Sequence, residues 1–120
     1  MSVALVLPFP PSVNRLWRSV RGRNILSREG REYRKAGLQQ LAAQAVPKQW
    51  LWPHTGRLSV AITLHAPDKR RRDVDNYTKA VLDLLTHGGV MVDDSQIDRL
   101  LITRGPVEKG GRVTVEVIPL

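Results

Sequence analysis

The 120-residue chain can bury one core but not two, so residues 1–120 are expected to form a single domain in which binding and chemistry share one scaffold. The absence of cysteine excludes disulfides, thiolate zinc sites and cysteine nucleophiles, and no apolar run approaches the ~20 residues of a membrane span, so a soluble cytoplasmic protein is expected. A formal charge of +8 favours polyanionic partners, nucleic acid above all.

In chain order, Val3–Leu7 is a short apolar run stopped by Pro8, Pro10 and Pro11, which predicts a buried strand ending in a loop. Residues 12–26 place Asn14, Arg15, Arg18, Arg21 and Arg23 among serine and glycine. This composition predicts a mobile basic connection, either tracking phosphates or simply solvated. Ser27 can cap a helix beginning near Arg28, with Tyr33, Gly37, Leu41 and Ala45 along one face and Pro47 at its end. Trp50 and Trp52 follow, with a core or lid role favoured over stacking on bases.

Strict alternation over 57–65, with Leu58, Val60, Ile62 and Leu64 on one side, predicts a strand. A second helix is expected over 74–87, ended by Gly88 and Gly89. Its buried stripe is Val74, Tyr77, Val81, Leu84 and Leu85, and its polar row is Asp75, Lys79 and Asp83. After a short apolar segment at 90–92, the stretches Ile97–Arg104 and 112–118 predict two strands joined as a hairpin through 105–111. The elements predict an α+β fold with a mixed sheet of about four strands packed with two helices.

Charge along the chain is uneven. Residues 73–98 hold six of the eleven acids and one base, a local charge of −5 against +13 for the remainder. Asp73 and Asp75 are two apart, where side chains can point the same way, and Asp93-Asp94 returns after one helix and a tight turn. Two carboxylates ~4 Å apart repel by roughly 4 kcal/mol at an effective dielectric of about 20, a penalty that a shared cation removes. All-oxygen donors point to Mg²⁺, with Mn²⁺ as a substitute, and such an ion supplies what phosphodiester hydrolysis requires. The competing account of the aspartate pair is helix capping in a solvated turn. Lys79, one turn after Asp75, either assists at the transition state or makes an ordinary i, i+4 ion pair. Lys69, Arg70, Arg71 and Arg72 directly precede Asp73 and can grip the phosphates flanking a scissile one.

The run from Arg70 to Lys79, with its D-x-D-N-x-x-K element, together with the distal Asp93-Asp94, resembles the RusA family of Holliday junction resolvases. Residues 10–18 resemble the family's N-terminal signature, Ser27 to Arg34 its first-helix opening and Lys109-Gly110-Gly111 its final hairpin turn. The resemblance implies metal-binding carboxylates at Asp73, Asp75 and Asp94, an essential Lys79, and a homodimer that nicks opposing strands of a four-way DNA junction in recombination and repair. The candidate DNA contacts are Asn14, Arg18, Arg21, Arg23, Lys69, Arg70, Arg71, Arg72 and Asn76. Trp17 stands where the family tends to have tyrosine, which keeps a stacking surface and removes a hydroxyl. Two rival functions remain: a DNA-binding module without catalysis, and a metal-dependent phosphoesterase for smaller substrates.

Overall fold

Alternating apolar residues in three separate stretches of the chain build one face of a sheet. In the computed structural model, which describes residues 2–44, 50 and 53–120, strands β1 (Val3–Leu7), β4 (Leu58–His65), β5 (Ile97–Arg104) and β6 (Arg112–Pro119) form a mixed sheet in the order β1-β6-β4-β5. Cross-strand register sets Val3 opposite Val117, Leu5 opposite Val115, and Ile62 opposite Val115 on its other side. Leu58, Val60, Ile62 and Leu64 are buried with them, so the alternation marked the core face.

Helices α2 (Arg28–Ala42) and α3 (Thr78–His87) add to the core, with Leu16, Trp50, Val90 and Met91. Ser27 caps α2 by accepting from the Gly30 amide at 3.0 Å, and Tyr33, Gly37 and Leu41 face inward. At Gly37 the helices meet so closely that an added Cβ would run into the Leu84 side chain. Trp50 is buried, its ring 5.0 Å from that of His54, as a core role requires. Ala45, Pro47 and Trp52 lie outside the described residues.

Three local expectations change. The basic stretch 12–26 is ordered: a single helical turn, α1 (Val13–Leu16), leads into a two-stranded ribbon of β2 (Trp17–Val20) and β3 (Arg23–Leu26). Its turn puts Arg21 at φ 51° and Gly22 at φ 75°, the left-handed pair that tight hairpins use, and arginine in that place hid the signal. The last two strands are not a hairpin. Strand β4 lies between them, parallel to β5 and antiparallel to β6, because its apolar face needs a neighbour on both edges. The connection 105–111 therefore arches over the end of β4, where Gly105 donates to Leu64 O at 2.9 Å and Glu108 to Ala66 O at 3.0 Å. Beneath the arch, His65 is buried with Nδ1 2.9 Å from Pro106 O. Finally, 90–92 contributes only an isolated bridge between Met91 and His54.

Candidate active site and nucleic-acid cleft

The segment after β4 carries the basic run, then a 3₁₀ turn (Val74–Tyr77) that passes into α3. The tighter turn is held by Asn76 N to Asp73 O at 3.1 Å and by Thr78 Oγ1 to Asp75 O at 2.9 Å. It breaks the polar row expected along one continuous helix. Lys79 pairs with Asp83 at 3.1 Å and with Asp94 at 3.4 Å, whereas no such pair joins it to Asp75 among the described residues. Hydrogen bonding to Asp83, opposed by partial burial and aided by Asp94, raises the Lys79 pKa above its usual value. The ammonium thus keeps its proton throughout the neutral range.

Asp94 reaches this place through a second 3₁₀ turn (Asp94–Gln96). Asp93 caps it, accepting from Ser95 N at 3.0 Å, while Gln96 Oε1 accepts from Val92 N at 2.7 Å and Asp93 N at 2.9 Å. The Gln96 amide nitrogen also donates to His54 O at 2.7 Å and Gly56 O at 2.8 Å. Buried Gln96 therefore ties the turn carrying Asp94 to the segment before β4, a role for which the sequence offered only the spacing Asp93-x-x-Gln96.

The spacing predicts that Asp94 returns beside Asp73 and Asp75; what the structure gives it is a contact with Lys79 at 3.4 Å. No three histidine or acidic side chains stand together as a metal-holding group among the described residues. Asp73 and Asp75 are exposed, and their carboxylates make no hydrogen bond or ion pair among those residues. Asp73 precedes the 3₁₀ turn without capping it, contrary to the capping account of the pair. Asp73 and Asp75 thus offer hard, anionic oxygen donors that no described side chain occupies, and Asp94 offers one shared with Lys79.

A cleft of about 650 Å³ joins the N-terminal signature to this segment. Asn14 and Arg15 line it together with Arg70, Arg71, Arg72, Asp73 and Asn76. The four consecutive bases differ in role. Arg72 is turned inward, bonded to Asp68 at 2.8 Å and lying 5.6 Å from the Phe9 ring centroid, whereas Lys69, Arg70 and Arg71 are exposed. Arg70 also pairs with Asp68 at 3.2 Å, and hydrogen bonds from Arg72 and the Arg70 amide hold the Asp68 carboxyl below its usual range. Arg18, Arg21 and Arg23 lie on the exposed ribbon outside the cleft. Arg15, Glu29 and Tyr77 also line the cleft. The sequence pattern placed Tyr77 only in a core stripe, because lining depends on distant segments meeting.

The model of the family described as Endodeoxyribonuclease RusA matches residues 8–118. A crossover junction endodeoxyribonuclease RusA of Enterobacteria phage HK97 is 38% identical over 115 residues, covering 96% of this chain and 92% of the relative. Its namesake from Escherichia coli (strain K12) is 37% identical over 114 residues, covering 95% and 92%, and that of Enterobacteria phage 82 is 37% identical over 113 residues, covering 94% and 91%. With Asp73 and Asn76 of the motif lining the cleft and the match running almost end to end, this chain belongs to the RusA family of endodeoxyribonucleases.

Proposed function

We propose that residues 1–120 act as one nuclease domain that resolves four-way DNA junctions by paired, symmetric nicks, a task of recombination and repair in the cytoplasm. The observation that carries this proposal is the cleft lined together by Asp73, Arg15, Arg70 and Arg71. A phosphodiester needs its anionic oxygens neutralised and its leaving oxygen stabilised, and the cleft combines cationic groups with the Asp73 carboxylate. Asp73, Asp75 and Asp94 would hold Mg²⁺, or Mn²⁺ in its place. Such an ion polarises the phosphoryl oxygen and lowers the pKa of an attacking water. Lys79, kept protonated by Asp83, contributes fixed positive charge beside Asp94. Asn14, Arg70, Arg71 and Asn76 bind the backbone in the cleft, while Lys69 and the ribbon residues Arg18, Arg21 and Arg23 extend the basic surface to flanking phosphates.

Two opposed nicks call for two sites related by a twofold axis, and we infer a homodimer. Strand β5 supports this assembly: it is an edge of the sheet, and Leu100 and Leu101 on it are 43% and 50% exposed. The test is incubation with a synthetic four-way junction, with and without Mg²⁺, mapped at nucleotide resolution. Symmetric, Mg²⁺-dependent nicks are expected. Tight junction binding without cleavage under Mg²⁺ or Mn²⁺ would instead identify a non-catalytic module, and weak salt dependence of DNA binding would favour a phosphoesterase for smaller substrates. Sedimentation of Leu101→Lys as a monomer, against a dimeric parent chain, tests the assembly.

A further inference from the structure

A second cavity, of about 310 Å³, adjoins the cleft and shares Phe9, Tyr77 and the residues from Arg70 to Asp73 with it. Its character is different. Leu64, Ala66, Val74 and Val107 give it apolar walls, and it is near the small end of the volumes that enclose a ligand. We propose that this cavity receives one unstacked nucleobase of the bound junction, next to the phosphate in the cleft; the inference rests on the nuclease function proposed above.

A nucleotide is anionic at its phosphate and flat and largely apolar at its base, so one nucleotide spanning two such cavities meets matching surroundings in both. The backbone from Arg70 to Asp73 borders both spaces, which makes adjacent parts of one ligand the natural occupants. Aromatic surface is already in place: the Phe9 and Tyr77 rings lie 5.2 Å apart at 43°, and Arg72 packs over Phe9. Arg104 lines the same cavity, its Nη2 donating to Arg72 O, so a guanidinium is held there before any ligand arrives. Bases stacked within a duplex cannot enter. Bases at a branch point can, because their stacking is already interrupted and extrusion costs least there. A branched substrate would thereby be preferred over a plain duplex by the cost of opening the latter.

The test pairs a protein change with a DNA change. Val107 is 44% exposed and takes no part in the proposed chemistry, so Val107→Trp fills the cavity mouth without disturbing the core. Junctions carrying a single abasic site at each of three nucleotides on either side of the cut are titrated against both proteins, with Ca²⁺ replacing Mg²⁺. One position is expected whose abasic form binds the parent chain about tenfold more weakly but binds Val107→Trp with less than a twofold penalty. Equal penalties in both proteins at every position would overturn the cavity's role while leaving the nuclease proposal intact. A change of oligomeric state in Val107→Trp by sedimentation, with an unchanged abasic profile, would overturn it in favour of a protein contact. A parent chain that binds no junction would sink the nuclease proposal and this inference with it.

Discussion

The aspartates that crowd together in sequence divide into two groups in space. Asp68 is bonded to Arg72, Asp93 caps a turn, and Asp98 pairs with Arg57, and in each the carboxyl is held below its usual pKa, chiefly by those hydrogen bonds. Asp73 and Asp75 have no such partner among the described residues, and Asp94 meets only the ammonium of Lys79. The first group shapes the loops, and the second is what those loops present. In the function proposed above, this second group is the one a divalent cation would take.

The largest test of that division is Asp75→Asn, which removes ligand charge at nearly constant shape. Junction cleavage should fall on the order of a thousandfold, while thermal stability and junction affinity in Ca²⁺ stay near the parent values. Retained Mg²⁺-dependent cleavage would erase the distinction between the two groups.

Next in size is Gln96→Ala, which strips partners from two amides and two carbonyls at once. Destabilisation of about 2–4 kcal/mol in urea unfolding is expected, with cleavage lowered further because the Asp94 turn loses its anchor. Asp93→Ala should act in the same direction more weakly, through Tm, and should spare metal-dependent cleavage relative to Asp75→Asn.

The pH dependence has a definite sign. Asp68, Asp93 and Asp98 have depressed pKa values, so their contribution is present above the ordinary carboxylate value near ~4 and is lost as pH falls through their folded values. Lys79 behaves oppositely: its contribution is present below ~10.4 and is lost only as pH rises through its raised value. Acid titration by circular dichroism should therefore show stability falling below about pH 4, with no loss from Lys79 up to pH 9. The smallest effect is expected from Arg71→Ala, an exposed residue of the cleft, which should lower the slope of log affinity against log salt by about one contact and leave Tm unchanged.

Periodicity and capping sufficed for Leu58–His65, for the helix opened by Ser27 and for the apolar side of α3, because each depends on neighbours within a turn or two. Motif spacing put forward Asp73, Asp75, Lys79 and Asp94 for the proposed site. What failed locally was the ribbon at 17–26, whose turn uses arginine in a left-handed conformation, and the straight polar row, broken by a 3₁₀ turn.

From the amino-acid order alone came the family motifs, the apolar faces and the uneven charge, all properties of residues near one another in the chain. Only the tertiary structure decided that β4 separates the last two strands, that Asn14 and Arg15 line one cleft with Asp73, and that Lys79 turns to Asp83 and Asp94. Those outcomes follow from how distant segments bury their apolar sides together, and packing of that kind is a property of the whole chain rather than of any window within it.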